Sequence, residues 1–289
     1  MKEWRSSLLT ALVIVVLVAR GNYSETTWLF VICCAVTFAT CASSALHLLG
    51  APAALKFIAI TVGLGWFFEE TGVKFGWWFG KYTYTSLLGT QFGSVPVIVP
   101  LMWFSLSYMG YVISNLIIWH APVPPPPIGH LVRGRFGSVV DAAVLAIPPA
   151  IIVLAYDYGA DPYMVKLKAW TVPQGLWAYG VKYEANAAYF HESIQGFRGW
   201  FFAAYVMAFV FRLVAGKLPA VPASPFRKRE ALLPVLLYFG FMEYQTFFGA
   251  PPATQEIAAV AMGIPVVFGA AGWMMYKLAE ELEHDRAHV

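Results

Sequence analysis

Eight stretches of apolar residues, separated by short polar or irregular segments, dominate the sequence. Most of them approach or exceed the roughly 20 residues that a helix needs to cross a bilayer, and they contain few charged side chains. They cover residues 7–19, 27–49, 51–68, 95–120, 139–156, 197–216, 231–248 and 257–276. The pattern predicts an all-α, polytopic membrane bundle of seven or eight spanning helices that forms one domain over residues 1–289.

Two segments do not fit this plan. Residues 69–94 and 157–196 mix acidic side chains with Gly, Tyr and Trp, and are too aromatic for a solvated loop. They are also too broken for a spanning helix. Trp and Tyr are enriched at membrane–water interfaces, and irregular backbone at membrane depth needs protein or a cavity around it. We therefore expect both segments to be interfacial or re-entrant and to form a site.

Composition agrees with a membrane protein, since 59% of the residues are apolar and only 12% are charged. A soluble domain carries about 25% charged residues. The net charge of +3 comes from loop residues and indicates no nucleic-acid-binding face. Cys33, Cys34 and Cys41 share one apolar stretch without a CxxC pair and are interpreted as packing residues.

The basic loop residues predict an orientation. If all eight stretches span the membrane, most of these residues fall on one side, which the positive-inside rule makes cytoplasmic together with both termini. Residues 69–94, 157–196 and 243–256 then share the opposite side. Six basic residues there weaken the rule without reversing it: Arg20, Lys74, Lys81, Lys166, Lys168 and Lys182. The residues on the cytoplasmic side are Lys2, Arg5, Arg133, Arg135, Arg227, Lys228, Arg229 and Lys277.

Two adjacent acids, Glu69 and Glu70, directly follow an apolar run. A charge at the bilayer centre costs about 3 kcal/mol, so such a residue needs a partner or a wet cavity. Helical spacing separates the two side chains by about 100°, so we expect only one to enter a pocket. A carboxyl group enclosed by aromatics tends to hold its proton and can donate it to an alkene. Alternatively, both are solvated charges that end a helix.

Three further acids are catalytic candidates. Asp157 follows the fifth apolar stretch, and Asp161 precedes Pro162, where capping a turn or helix explains it equally well. Glu243 lies between aromatics in a helical pattern. It is a candidate proton donor, although a hydrogen bond to a tyrosine hydroxyl would satisfy it equally well.

Aromatic residues in or near the irregular segments are candidates for substrate binding. An interfacial aromatic belt accounts for some of them without any function. Aromatic ring faces also stabilise cations, including the carbocation that forms when an alkene is protonated. The candidates are Trp78, Phe79, Tyr82, Tyr84, Trp103, Trp170, Tyr179 and Trp200.

Several motifs are missing from the sequence. It contains no P-loop, no GxGxxG, no G-x-S-x-G and no DDxxD, and its six histidines lack metal-ligand spacing. No metal and no cofactor are therefore expected. The remaining chemistry needs protons, water and a shaped pocket.

Three blocks over roughly residues 60–215 resemble the membrane carotenoid biosynthesis proteins typified by carotenoid 1,2-hydratases, including bisanhydrobacterioruberin hydratase. Residues 182–198 are longer than the family pattern, and Gly196 stands where that pattern has Asn. The matching residues are Glu69, Gly72, Val73, Phe79, Gly80, Tyr82, Tyr84 and Thr85, then Asp161, Pro162 and Trp170, then Tyr179, Gly180, Val181, Gly199 and Trp200.

The resemblance implies hydration of the terminal C1=C2 double bond of an acyclic carotenoid in a prokaryotic cytoplasmic membrane. Glu69 would protonate the alkene and Asp157 would orient or deprotonate the water. Tyr82, Tyr84, Trp170 and Trp200 would shield the cation. The implied partners are a lipid-soluble carotenoid substrate, membrane lipid and neighbouring enzymes of the pathway.

Two alternatives remain open. The first is a membrane terpenoid or carotenoid cyclase or isomerase that uses the same acid. The second is a carotenoid- or lipid-binding membrane protein without catalytic activity, in which the acids are structural charges.

Overall fold

The structure, a computed structural model, describes residues 5–22, 27–124, 137–171, 177–178, 181–182, 194–215 and 224–277. Helices account for most of these residues, which confirms the predicted all-α bundle. The helices are α1 (Arg5–Asn22), α2 (Thr27–Leu49), α3 (Ala51–Phe75), α4 (Ile98–Trp119), α5 (Gly137–Leu145), α6 (Ile147–Lys166), α7 (Ile194–Val214), α8 (Pro225–Phe248) and α9 (Pro252–Met274).

Eight candidate membrane spans lie in the described ranges, with α5 and α6 together forming one span over Ser138–Lys166. The protein is thus an integral membrane protein. Short strands and one 3-10 turn connect the helices. They are β1 (Thr83–Tyr84), the turn Ser86–Leu88, β2 (Gln91–Phe92), β3 (Val95–Pro96), β4 (Trp170–Thr171), β5 (Trp177–Ala178) and β6 (Val181–Lys182).

Two helices run further than the apolar pattern predicts. α3 continues through Glu69 and Glu70 and ends at Gly76, whose left-handed backbone (φ 72°) closes the helix by an N–H bond to Gly72 O. α6 likewise continues past Asp157. Asp161 therefore lies inside a helix, and its expected capping role is wrong. Hydropathy marks where apolar residues stop, whereas the backbone hydrogen bonds of a helix can continue through polar residues.

α4 forms the centre of the bundle and packs against α2, α3, α6 and α9. Aromatic rings fill the space around it, with Phe57 stacked on Phe211 at 4.2 Å between ring centres and edge-on to Tyr108 and Tyr111. Large apolar side chains such as Val267 and Phe268 are exposed on the outer surface, as expected for helices in contact with lipid. Because lipid is as apolar as these side chains, close packing and polar contacts hold such helices together.

A polar cluster ties the end of α2 to the beginning of α8. Arg227 donates hydrogen bonds to the carbonyl oxygens of His47 (3.3 Å) and Leu48 (3.1 Å), which the end of α2 would otherwise leave unsatisfied. His47 Nδ1 lies 3.3 Å from Glu230 Oε2, and the Glu230 side chain is fully buried.

At the other end of the bundle, strand pairing joins the two irregular segments. β1 pairs with β4, placing Tyr84 opposite Trp170, and Thr85 adds a hydrogen bond from its N–H to Ala169 O (2.9 Å). The chain that follows α3 is thereby fixed against the chain that follows α6.

Gly65 permits the close approach of α3 and α4. A Cβ atom at this position would lie 2.9 Å from Trp103 Cβ, whereas a Cβ at Gly63, two residues earlier, would meet nothing within 4 Å.

We expect Gly65→Ala to lower the free energy of unfolding by about 1–3 kcal/mol through overpacking, and Gly63→Ala to leave it unchanged or raise it. Thermal unfolding of both variants in detergent tests this; equal melting temperatures would contradict the close contact.

Candidate active site

A cavity of about 140 Å³ opens at the end of the bundle where the irregular segments meet. Side chains from α1, α2, α3, α4, α6, α7 and α8 and from the segments after α3 and α6 line it. Most of this lining is aromatic or aliphatic. Eight of the residues singled out from the sequence line it: Glu69, Phe79, Tyr82, Tyr84, Trp103, Asp161, Trp170 and Trp200.

Glu69 is the most strongly anchored of these residues. It is 4% exposed, and its carboxyl group accepts three hydrogen bonds. The hydroxyls of Tyr82 and Tyr84 donate to Oε2, the latter at 2.7 Å, and Trp103 Nε1 donates to Oε1 at 2.8 Å. Gly72, one turn later on α3, leaves room for the Tyr82 ring, since a Cβ there would lie 3.1 Å from the Tyr82 hydroxyl.

The two oxygens of Glu69 are used unequally. Each carboxylate oxygen has two lone pairs, and both lone pairs of Oε2 are engaged by tyrosine hydroxyls. Oε1 accepts one hydrogen bond, from Trp103, so one of its lone pairs has no donor among the described residues. A proton on Glu69 therefore fits best on Oε1.

Tyr82 and Tyr84 remain neutral donors. Burial, reinforced by the neighbouring Glu69 charge, raises the pKa of each phenol well above its usual value near 10. Both hydroxyls therefore keep their protons over the physiological pH range, and with them their hydrogen bonds to Glu69.

A second carboxyl group in the cavity belongs to Asp161. It is 7% exposed, and its Oδ2 accepts a hydrogen bond from Trp200 Nε1 (3.1 Å). The Trp200 ring lies 4.4 Å from the Trp103 ring, centre to centre, at an interplanar angle of 33°. The two indole rings are thus in direct contact at a tilt, and one donates its N–H to Glu69 while the other donates to Asp161.

The close approach of α7 to the segment after α3 positions Trp200. A Cβ at Gly199 would lie 2.6 Å from the Phe79 ring and 2.7 Å from Trp78 O, so only glycine allows this contact without displacement. Tyr156 and Phe241 extend the aromatic wall, with the Tyr156 ring 6.4 Å from Trp200 and 5.5 Å from Phe241. The ring faces provide a surface that stabilises positive charge.

The remaining acidic candidates have other surroundings. Glu70 pairs with Lys74 (2.6 Å) and accepts a hydrogen bond from Ser94 N–H (2.8 Å), so it anchors the β2–β3 hairpin instead of entering the cavity. Asp157 is fully buried one turn before Asp161 but is not part of the cavity lining. Glu243 is partly exposed on α8 and also lies outside the lining.

Among the aromatic candidates that the structure describes, Trp78 does not line the cavity. Trp78 stacks on Phe202 at 5.2 Å and donates its N–H to Thr71 Oγ1 at 2.9 Å, so it braces α3 against α7. Tyr179 lies outside the described residues.

Several lining residues were missed in the sequence, among them Tyr156, Phe241, Tyr244 and Gln245. On α8 the available signal was helical spacing, because Phe241, Tyr244 and Gln245 share a face that excludes Glu243. Arg20, near the end of α1, was noted in the sequence only because its positive charge falls on the side opposite to the predicted cytoplasmic side. It is 2% exposed, lines the cavity, and places its guanidinium 5.7 Å from the Phe30 ring centre and 6.0 Å from that of Tyr163.

A comparison with protein-family models identifies the chain. A family described as carotenoid biosynthesis protein matches residues 26–272. The chain belongs to the carotenoid biosynthesis protein family. The match includes every cavity-lining element except α1. A search of curated proteins found no match, and neither did a search of solved structures. Membership in this family indicates an isoprenoid substrate in a membrane setting.

The raised phenol pKa values can be tested by alkaline titration. Tyrosine side chains with an ordinary pKa ionise near pH 10, whereas Tyr82 and Tyr84 should stay protonated there. We expect Tyr82→Phe and Tyr84→Phe to leave the phenolate absorbance that develops around pH 10 unchanged in the folded protein. A smaller absorbance change in either variant would show that the phenol titrates normally.

Proposed function

We propose that this member of the carotenoid biosynthesis family is a carotenoid hydratase. In this proposal it adds water to the terminal C1=C2 double bond of an acyclic end group. The observation that carries the proposal is the arrangement of Glu69, a buried carboxyl group in an aromatic cavity whose Oε1 has one lone pair without a donor among the described residues. Such a group is suited to deliver a proton to an apolar base.

The first step transfers a proton. The C1=C2 π electrons take the proton from Glu69 Oε1, a C–H bond forms at C2, and C1 becomes a tertiary carbocation. Glu69 is left as a carboxylate. The hydrogen bonds from Tyr82, Tyr84 and Trp103 stabilise this anion, because charge-assisted hydrogen bonds are about twice as strong as neutral ones. The three donors thus favour proton transfer to the alkene.

The second step adds water. A water oxygen forms a bond to C1, and a carboxylate takes the proton that the water loses. Asp161 supports this role better than Asp157 because it lines the cavity and is oriented by Trp200. The Trp103 and Trp200 rings stabilise the cation until water reaches it. Glu69 loses one proton and Asp161 gains one, so a proton must pass from Asp161 back to Glu69 before the next turnover. Addition of water to an alkene needs no oxidant or reductant.

The proton donor is tested in a host that produces an acyclic carotenoid. With the wild-type protein we expect pigments heavier by the mass of one water molecule for each reacting end. Glu69→Gln should lower their formation by about 10²- to 10⁴-fold, the usual contribution of a general acid. Glu70→Gln is the matched control, because it makes the same change one residue away and outside the cavity lining.

Mass spectrometry and chromatography of the pigments distinguish the outcomes. Normal hydration by Glu69→Gln would remove the proposed acid. Unchanged mass with a new retention time would indicate a cyclase or isomerase. Unchanged pigment that co-purifies with the wild-type protein would indicate a binding protein.

The second carboxyl group is tested by comparing Asp161→Asn with Asp157→Asn. Asparagine at 161 can still accept the Trp200 hydrogen bond but is a far weaker base. We therefore expect Asp161→Asn to lower the ratio of hydrated to isomerised product by about 10²-fold or more, and Asp157→Asn to retain the wild-type ratio. The ratio is independent of expression level. A lower ratio for Asp157→Asn and an unchanged ratio for Asp161→Asn would assign the base to Asp157.

A further inference from the structure

The size of the cavity limits what it can hold. At about 140 Å³ it is similar to an engineered protein cavity of about 150 Å³ that binds benzene, a molecule of six carbons. One isoprene unit has five skeletal carbons, and a carotenoid chain is assembled from eight such units. The cavity therefore accepts an end group, and the remainder of the chain must leave through an opening.

The lining is not equally buried on all sides. Beside the acids, Glu69, Tyr82, Trp103 and Asp161 are each at most 8% exposed, whereas the donors Tyr84 and Trp200 are partly exposed. The partly exposed lining residues whose side chains carry no polar group lie where α2, α4 and the end of α6 meet: Phe30, Val99, Met102 and Met164. These four pack on a small apolar cluster formed by Cys34, Leu88, Ile98 and Ala169, separate from the main core.

We propose that Phe30, Val99, Met102 and Met164 form an open apolar arm of the cavity. This arm is the opening through which the polyene next to the reacting end group leaves the cavity and extends into the bilayer. All four side chains are apolar, as a hydrocarbon ligand requires. The two methionines are unbranched and polarisable, so they adapt to an extended chain. Arg20, which also lines the cavity, lies over the rings of Phe30 and Tyr163.

The arm has a consequence for the order of reactions. With one end group in the cavity and the chain in the arm, the other end lies outside the site. A symmetric acyclic carotenoid must therefore be released after its first hydration and bind again with the opposite end. This consequence rests on the proposed hydratase function, whereas the arm itself requires only an isoprenoid substrate of carotenoid length.

Obstruction of the arm tests the binding site. Met102→Trp and Met164→Trp place a larger side chain in it, and Val99→Phe is a milder obstruction. Met274→Trp is the matched control, because Met274 is 66% exposed on α9 and does not line the cavity. The readout is the amount of carotenoid retained per protein after purification from a producing host. We expect a loss of about ten- to a hundredfold for the arm variants and no loss for the control.

A short substrate separates an obstructed arm from a damaged cavity. An alkene of one isoprene unit with the same dimethyl end group should still bind to the arm variants, because it fits in the cavity without the arm. Undiminished carotenoid retention in the variants would overturn the proposal, and so would equal loss of the short and long ligands. If the wild type does not hydrate carotenoids yet retention still depends on Met102 and Met164, the proposed function fails and the arm stands.

The order of reactions is tested by a time course with the protein in lipid vesicles containing excess symmetric carotenoid. We expect the half-hydrated carotenoid to accumulate first and the doubly hydrated product to follow after a lag. Doubly hydrated product that forms from the earliest time points, without free half-hydrated carotenoid, would show that both ends react in one binding event.

Discussion

A carboxyl group enclosed in a membrane protein must be satisfied by the protein itself, and the site is organised around this requirement of Glu69. Its three donors come from different parts of the chain: Tyr82 and Tyr84 from the segment after α3, and Trp103 from α4. To supply them, the chain must turn back after Gly76, and α4 must approach α3 closely enough that residue 65 has no side chain. The turn after α3 and the close contact of α3 with α4 together supply the hydrogen-bond donors of this one buried acid.

Neighbouring acids on the same helix have different surroundings. Glu69 and Glu70 differ by one position on a helix, and this rotation places one carboxyl group in the cavity and the other on Lys74 and the Ser94 N–H. On α6, Asp157 and Asp161 are one turn apart, and only the second lines the cavity. In both pairs the environment separates a carboxyl group that lines the cavity from one that does not.

Much of this arrangement could be predicted from the sequence. Eight apolar stretches and a low charge content suffice for a polytopic helical bundle, and acids beside Trp and Tyr mark the end of the bundle that contains the cavity. The helix ends could not be predicted, since α3 and α6 continue beyond the apolar residues. On α8, helical spacing groups Phe241 and Gln245 on one face, but the charge of Glu243 is more conspicuous in the sequence and led the prediction to a different face. Arg20 had no signal beyond its charge, since its contacts with Phe30 and Tyr163 depend on the packing of α1.

The hydrogen bonds of Glu69 also determine which of the two charges formed in the proposed reaction they stabilise. A general acid for an alkene must be strong enough to release its proton, yet must be enclosed so that water does not take that proton first. Burial meets the second requirement and opposes the first, because it disfavours the carboxylate. The donors from Tyr82, Tyr84 and Trp103 oppose this penalty by stabilising the anion, while the aromatic faces stabilise the cation that forms beside it. Since both charges appear together, a cavity lacking either the donors or the rings would stabilise only half of the ion pair formed by protonation.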